Sequence, residues 1–437
     1  MTDGRNDGKA GTPVRERRAT ARHAATVTAV TFLALLVAAG LRSAPALLLV
    51  PLQFHFGWSL ANLSFTAALG ILFYGLVGPF AATLMLSFGI RRTMAAGLAL
   101  MAAGTFASLW MTQSWQYLLS WGVVSGIGSG AVAPVLGAAV VNRWFARRQG
   151  LIMGLLSAST ATGALIFLPV LAWLTREGQW QPLVWAVSGA CLALVPLVLL
   201  LVPEWPSDVG ATRFGEKPGV VPPRPEPGAG HPGAAFAVLA RAARVPTFWL
   251  LAGTFFVCGL TTNGLVGTHL VAFCGDHGIG AVAAAGLLST MGFFDLIGTT
   301  ASGWLTDRVD PRRLLFVYYG VRGLALMALP FLDLGTVSLG AFAIFYGLDW
   351  VATVPPTVAL ANRAFGEREA PVVFGWVVVA HQLGAACAAY GGGLIRQILG
   401  SYSPAFWIAG AFAVLAAFAA LRLPGAGRRP QGLAGAA

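Results

Sequence analysis

The sequence predicts an all-α membrane protein with twelve transmembrane helices in two six-helix repeat halves, and three observations support this. Of its 437 residues, 57% are hydrophobic and only 10% are charged, whereas about 25% are charged in ordinary soluble domains. Twelve apolar segments are long enough to be membrane-crossing helices, which takes about 20 residues each. Short motifs also recur in the second half of the chain. A water-soluble fold of this length could not bury so much apolar surface.

Numbered helices 1 to 12 in chain order, the apolar segments lie near residues 26–50, 61–86, 94–111, 116–141, 151–173, 182–202, 247–273, 281–304, 314–332, 336–361, 371–396 and 404–421. Charge and composition divide the chain into five parts. They are a basic N-terminal segment (1–25), a first half (26–203), a linker (204–245), a second half (246–423) and a tail (424–437). The linker is rich in proline, glycine and charge, which gives it little reason to fold.

The basic residues predict the orientation in the membrane. If the helices alternate in direction, 24 of the 28 lysines and arginines fall on one side. Because lysines and arginines concentrate on the cytoplasmic side, we expect a multi-pass protein of the cytoplasmic (inner) membrane with both termini in the cytoplasm. The lipid bilayer then accounts for the net charge of +12, so the charge gives no support to a nucleic-acid partner.

The sequence has no pattern typical of an enzyme or of a cofactor site. The cysteines, Cys191, Cys258, Cys274 and Cys387, lack the spacing of metal ligands, and no phosphate-binding loop or nucleophile elbow is found. We expect the cysteines to be small buried hydrophobic residues. We expect neither a cofactor nor an enzymatic activity.

Two motifs recur after a nearly constant interval. The motif NRWFARR at 142–148 recurs as NRAFGER at 362–368, 220 residues later, and the pair at 91–92 recurs at 312–313, 221 residues later. The interval is about half the length of the chain. It therefore predicts two halves that arose as a repeat.

The turn after helix 8 carries the motif with the clearest resemblance to a known family. It reads Gly303-x-Leu305-x-Asp307-Arg308-x-x-x-Arg312-Arg313. This resembles the signature loop of the major facilitator superfamily of membrane transporters, with Asp310 where the family usually has glycine. The resemblance implies a secondary transporter with the major facilitator fold, whose halves are related by an axis along the membrane normal.

By the same resemblance, this loop latches one conformation through Asp307 and neighbouring helix ends. The first half's copy at 86–92 keeps its arginine pair but lacks the Asp-Arg pair. A purely topological role for the arginines is an equal alternative. The residues assigned to a conformational gate are Gly303, Asp307, Arg308, Arg312, Arg313, Arg91 and Arg92.

Within the superfamily, the first half resembles the monocarboxylate and oxalate/formate transporter branch. The similarity rests on Phe56-Gly57-Trp58-Ser59, Gly78-Pro79, Phe88-Gly89-Ile90-Arg91, the glycines at 122, 126, 128 and 130, and residues 142–150. The acidic-glycine-tryptophan motif of the eukaryotic branch before helix 1 is absent. The GxxxGPxxGG pattern of drug/proton antiporters in helix 5 is absent too, which argues against a drug exporter.

Four charged residues lie inside apolar helices, where a charge costs at least ~2.5 kcal/mol and so needs a partner, water or a function. They are Arg42, Asp295, Arg322 and Asp349. The repeat interval relates Arg42 to Asn263 and Tyr74 to Asp295, so four helices place polar groups at equivalent depths. The residues assigned to substrate binding are Arg42, Tyr74, Asn263, His381 and Gln382.

The resemblance suggests roles for two of the charged residues. Arg42 falls close to the helix 1 lysine that monocarboxylate transporters use, and Asp295 matches the branch's aspartate in helix 8. The branch's arginine four residues after that aspartate is replaced by Thr299, which leaves Arg42 as the candidate cation. Because a low dielectric disfavours a charged carboxylate, Asp295 is assigned to proton coupling. A structural ion pair between Arg42 and Asp295 is the alternative.

Two further features allow more than one interpretation, and a third has a single one. Asp349 either forms a structural bridge with Arg322 or serves as a second proton-coupling site. His381 is either part of the site, since histidine titrates near neutrality, or a hydrogen-bonded packing residue. The pair Pro355-Pro356 is expected to break helix 10 because proline lacks the amide donor.

The sequence therefore predicts a secondary active transporter that works by alternating access, most simply as a monomer. We expect it to move a small organic anion similar to a monocarboxylate, with protons as the coupling ion of a symporter. Export of amphipathic compounds or drugs and uptake of a neutral nutrient are the alternatives within transport. A membrane receptor or enzyme without transport activity is the alternative outside it.

Overall fold

The computed structural model describes residues 12–175, 179–216 and 232–424. Helices joined by short turns make up this part of the chain, which confirms the predicted fold class. Parts of four predicted segments lie outside the described residues, namely 1–11 of the N-terminal segment, 176–178 of the first half, 217–231 of the linker and 425–437 of the tail.

The first half contains helices 1 to 6. Their bounds are Thr12–Phe56, Leu60–Ser87, Ile90–Ala107, Ser114–Trp144, Gln149–Leu174 and Gln181–Leu201. Helix 1 extends well beyond the predicted span at both ends. Helix 4 is interrupted by a π-helical stretch and by a turn before Pro134.

The second half contains helices 7 to 12. Helices 7, 8 and 9 are Pro246–Asp276, Ala281–Thr306 and Pro311–Ala328. Helix 10 begins with Thr336–Asp349, Val354–Leu399 contains the rest of helix 10 and helix 11, and helix 12 is Ser403–Leu421. Gly366, with φ 78°, separates helices 10 and 11, because glycine adopts a positive φ without steric cost.

The described residues account for all twelve predicted spans. Nine segments have the length and composition of a membrane crossing, and one of these, Thr336–Leu399, contains two crossings. Helices 5 and 8 have 26 residues each and are also long enough to cross.

Helix 10 is broken, as its two prolines predict. Its first part ends at Asp349 and helical backbone resumes at Val354. Pro355 and Pro356 then lie in the first turn of the new segment, where a missing amide donor costs no helical hydrogen bond. Residues 350–353, which we call the helix 10 turn, leave the helical path in the middle of the membrane span.

The two halves contact each other mainly through helices 5 and 8 and through helices 2 and 11. Glycine permits both contacts. A Cβ at Gly154 would lie 2.9 Å from the Gly303 Cα, and a Cβ at Gly75 would lie 2.6 Å from the Gln382 Cγ. These positions allow the backbones to approach more closely than side chains would permit.

The linker is more ordered than its composition predicts. Pro232–Ala242 forms a helix that packs its apolar face against both halves. The Phe236 ring lies 5.3 Å from the Phe80 ring of helix 2 and 5.7 Å from the Trp376 ring of helix 11. Burial of this apolar stripe supplies the stabilisation that the surrounding proline-rich sequence lacks.

Candidate substrate site and latch between the halves

Arg42 lies in the interior of the first half beside Tyr74. The Arg42 guanidinium carbon lies 4.2 Å from the centre of the Tyr74 ring, so the two residues form a cation–π contact between helices 1 and 2. Arg42 is partly buried. No carboxylate in the described part of the chain forms an ion pair with it. The geometry therefore leaves a cation available to an anionic ligand.

The second half brings Gln382 to the same region. The Gln382 side chain packs directly on Gly75, the residue that follows Tyr74. Its amide oxygen lies 3.2 Å from His381 Nδ1, and the His381 ring lies 5.0 Å from the Phe255 ring of helix 7. Both residues are partly buried. Gln382 thus lies across the interface between the halves against the residue next to Tyr74, while the cation–π contact of Arg42 stays within the first half.

Asn263, the last of the five residues assigned to substrate binding, lies on helix 7. It lies in a π-helical stretch of helix 7, Leu260–Val266, and its side chain is exposed. Its backbone carbonyl accepts a hydrogen bond of 2.9 Å from Thr268 Oγ1. The structure therefore leaves the role of Asn263 as a prediction.

Asp295 is fully buried in helix 8. Its Oδ1 accepts a 2.6 Å hydrogen bond from Thr299 Oγ1 and a 2.9 Å hydrogen bond from the Val351 amide of the helix 10 turn. Its Oδ2 has no hydrogen-bond partner among the described residues. Asp295 forms no ion pair with Arg42 in this conformation, because Thr299 and Val351 donate to its carboxylate instead.

Arg322 and Asp349 form a buried ion pair, as one of the two interpretations predicts. Arg322 Nε lies 2.6 Å from Asp349 Oδ2, and the Arg322 side chain is completely inaccessible. Arg322 also donates to the Asp349 carbonyl, to Cys258 Sγ at 3.2 Å and to Thr261 Oγ1 at 3.4 Å. The pair therefore joins helix 9 to helices 7 and 10, which supports the structural interpretation.

Replacing Arg322 with Ala should destabilise the protein strongly, because it leaves the Asp349 charge buried without its partner. Loss of one member of a buried pair costs about 3–5 kcal/mol. The double variant Arg322→Ala/Asp349→Leu should cost less, since no buried charge remains. Unfolding in detergent, monitored by the loss of the helical circular dichroism signal, measures the stability of both variants. A single variant as stable as the wild type would contradict a structural bridge.

Asp307 joins the two halves at one end of the bundle. Its Oδ1 accepts a 2.8 Å hydrogen bond from the Gly150 amide and its Oδ2 a 3.0 Å hydrogen bond from the Leu151 amide. These amides belong to the first turn of helix 5, where free N–H groups and the helix dipole favour an anion. The resemblance predicts a latch through Asp307 and a neighbouring helix end; the hydrogen bonds join these two elements, and the latching role stays a prediction.

Other polar contacts between the halves lie at the same end, which we call the basic end because the arginine-rich loops meet there. Asn142 and Asn362 donate to each other's side-chain oxygens, each at 2.8 Å. Gln149 donates to Glu367 at 3.1 Å, and the linker residue Arg213 pairs with Glu367 at 2.5 Å. In this conformation the protein is therefore closed at its basic end.

The other residues assigned to the gate, Gly303 apart, contact their own half. Arg308 lies over the Trp304 ring, and Arg312 pairs with Asp310 at 2.6 Å. Arg313 is exposed. The Arg91 and Arg92 amides donate to Glu204 at 3.2 and 3.3 Å. Glu204, the first residue of the linker, thus caps helix 3 as Asp307 caps helix 5, but it directly follows the half whose helix it caps.

Replacing Asp307 with Asn should open the basic end. Asparagine removes the charge and one of the two acceptors, and a hydrogen bond to a charged group contributes about 1.5–3 kcal/mol. We expect the population open at the basic end to rise about tenfold or more. Spin labels at the exposed residues Ser87 and Val309, in a background without the exposed Cys387, measure the separation of the halves.

Asp310→Asn is the matched control for the latch. Asp310 lies three residues away, and its hydrogen bonds from Arg312 hold its pKa below the ordinary value, so it is also ionised. Its contacts stay within its own loop. The control should keep the wild-type distance distribution, and an Asp307→Asn variant that does the same would contradict the latch.

Several contacts at these sites were not predicted from the sequence. Cys258, Thr353, Glu204 and Glu367 act through partners that are distant in the chain. The sequence did give an indication for Asn142 and Asn362, because the repeat identifies them as equivalent positions. Equivalent residues near the axis between two halves can meet each other, and the structure places these two in contact.

A model of the family described as Major Facilitator Superfamily matches residues 30–389. The chain is 29% identical over 368 residues to monocarboxylate transporter 13 of Bos taurus, an alignment that covers 83% of this chain and 80% of that relative. It is 25% identical over 365 residues to the uncharacterized MFS-type transporter YcxA of Bacillus subtilis, covering 80% of this chain and 82% of the relative.

Solved structures agree in fold. The human organic anion transporter MFSD10 superposes with a TM-score of 0.69 at 13% identity and covers 91% of this chain and 99% of its own. The E. coli fucose:proton symporter FucP gives 0.66 at 18% identity, with 90% and 97% covered. These identities support the fold alone. With the family match over most of its length, the chain belongs to the Major Facilitator Superfamily, as a membrane transporter, not an enzyme, related to the monocarboxylate branch.

Proposed function

We propose that this transporter moves a small organic anion, similar to a monocarboxylate, together with protons. The observation that carries the proposal is the environment of Arg42. A guanidinium in a membrane interior needs a partner, and Arg42 has the Tyr74 ring in place of a carboxylate from the described residues. A carboxylate substrate would supply the missing negative charge through charge-assisted hydrogen bonds.

The neighbours of Arg42 fit the same ligand. Gln382 and His381 come from the other half and provide hydrogen-bonding groups close to Tyr74. A ligand held between Arg42 and these residues would contact both halves, which alternating access requires. The similarity to monocarboxylate transporters of animals supports this substrate class.

Asp295 is the proposed proton site. Its carboxylate is buried, accepts two hydrogen bonds on Oδ1 and leaves Oδ2 without a partner in the described part of the chain. A buried carboxylate oxygen without a donor is a position where a proton can bind and remove the charge. Asp349 is the second candidate, but its charge is already balanced by Arg322.

In the proposed orientation, the protein lies in the cytoplasmic membrane. Its basic end and both termini face the cytoplasm. Basic loops favour that side. With the halves closed at the basic end, the conformation then faces outward. The proposed site lies between the halves of one chain, so a monomer would be sufficient for transport.

Uptake into proteoliposomes tests the proposal. Labelled lactate, pyruvate, oxalate and succinate are offered with and without an imposed pH gradient, acidic outside. We expect at least one monocarboxylate to accumulate only when the gradient is present. If folded protein accumulates none of the acids, the anion proposal fails, and a neutral or amphipathic substrate takes its place.

A further inference from the structure

The helix 10 turn has backbone groups that its own helix cannot satisfy, and helices 8 and 9 satisfy them. The Val351 amide donates to Asp295 Oδ1 at 2.9 Å. Ser302 Oγ, also on helix 8, donates to the Ala352 carbonyl at 2.6 Å. Arg322 donates to the Trp350 carbonyl at 3.3 Å. Since buried backbone groups are costly to leave unpaired, these side chains hold the turn in place.

The same turn contacts helix 7 at Gly267, the residue that follows its π-helical stretch. The Trp350 ring lies 3.8 Å from the position that a Cβ at Gly267 would occupy. Tyr346, whose ring lies 5.7 Å from that of Trp350, donates to the Thr261 carbonyl at 2.7 Å. A π-helical stretch has fewer favourable hydrogen bonds than an α-helix and is common at functional sites. Movement of the turn would therefore reach the helix 7 segment that carries Asn263.

Three side chains bond the turn, namely Asp295, Ser302 and Arg322. Of these three, Asp295 is the one whose charge changes when a proton binds to an oxygen that accepts no hydrogen bond. Oδ2 lacks a partner in the described residues, so a proton taken from water can bind there while Oδ1 keeps its contacts. Neutralisation converts a charge-assisted hydrogen bond to Val351 into an ordinary one, which is roughly half as strong. Protonation would thus weaken the hold on the turn without breaking the fold.

We propose that protonation of Asp295 releases the helix 10 turn and, through Trp350, repositions the π-helical segment of helix 7. The proposal rests on the proposed function, because it takes Asp295 as the proton site, and adds the element that responds. Arg322 is a positioning residue in this scheme. It holds the start of the turn through the Asp349 and Trp350 carbonyls, so that the change at Val351 is directed towards helix 7.

The other ionisable groups near Asp295 and the turn are either paired or lack a contact with the turn's amides. They are Cys258 on helix 7, Tyr318, Tyr319 and Arg322 on helix 9, Tyr346 and Asp349 on helix 10 and His381 on helix 11. Helix 5, which packs on the other side of helix 8, contains no ionisable residue. Of these groups, only the Asp295 carboxylate bonds an amide of the turn.

Hydrogen–deuterium exchange on the full chain in lipid nanodiscs, without substrate, tests the proposal. The observable is the exchange rate of the peptide that contains residues 350–353, corrected for the intrinsic rate at each pH. Asp295→Asn should raise this rate about tenfold at neutral pH, and the wild type should approach the variant's rate as the pH falls. Thr300→Ala is the matched control, because the Thr300 hydroxyl donates to the Leu296 carbonyl of its own helix, and it should behave as the wild type.

Ser302→Ala is a second variant that leaves the carboxylate intact. It should raise the rate of the same peptide while keeping the pH dependence, since the bond to the Ala352 carbonyl is lost and the carboxylate keeps its bond from Val351. Equal protection and equal pH dependence in wild type and Asp295→Asn would overturn the proposal. Because no transport is measured, this outcome is distinct from failure of the proposed function, which the uptake experiment decides.

Discussion

The variant Arg42→Gln is expected to lose uptake of organic acids while retaining its fold. Glutamine keeps a polar side chain near Tyr74 but removes the cation that the proposed carboxylate would bind. Hydrogen bonds to a charged group contribute about 1.5–3 kcal/mol, so the affinity should fall about tenfold to a hundredfold. The concentration dependence of uptake in proteoliposomes measures the loss. Arg42→Lys should recover part of it, since lysine restores the charge without the planar fork.

Arg22→Gln serves as the matched control for Arg42→Gln. It removes the same charge from the same helix, at an exposed position near the basic end. Uptake by this variant should equal that of the wild type. If Arg42→Gln also transports normally, then Arg42 is a structural charge held by Tyr74, and the anion site lies elsewhere.

The variant Asp295→Asn is expected to separate exchange from proton-driven accumulation. Asparagine has nearly the same shape and can still accept from Val351, but it cannot take up a proton. Substrate should therefore exchange across the membrane, while a pH gradient no longer drives accumulation. Counterflow measures the first activity and gradient-driven uptake the second.

Asp333→Asn is the control for loss of an acid. Asp333 is exposed in the loop between helices 9 and 10, and hydrogen bonds from Ser338 and Gly335 hold its pKa below the ordinary value. It is therefore ionised at neutral pH but remote from the interior. The control should accumulate substrate normally. Gradient-driven accumulation that survives in Asp295→Asn would reject Asp295 as the proton site.

Much of the fold was predictable because hydrophobic length alone determines where a chain crosses a membrane. The twelve spans and the break at Pro355 follow from this constraint and from the chemistry of proline. Helix ends were predicted less well, since Thr12–Phe56 and Ser114–Trp144 continue beyond their apolar cores. The helix Pro232–Ala242 was missed because its stability comes from contacts with both halves and not from its local composition.

The candidate site was predictable as a set of residues but not as a set of contacts. A charge in an apolar segment is visible in the sequence, and this identified Arg42, Asp295, Arg322 and Asp349. Which of them pair depends on how neighbouring helices rotate, and this is not encoded in any single helix. Only the structure separates the Arg322–Asp349 ion pair from the contact of Arg42 with Tyr74.

The central claim is that acid and proton move together through one interior site. The most direct test records the internal pH of proteoliposomes after external pyruvate is added, with no gradient imposed, and subtracts the signal of protein-free vesicles. The account predicts an internal acidification with the wild type that is absent with both Arg42→Gln and Asp295→Asn. Entry of labelled pyruvate through the wild type without any internal acidification would contradict it.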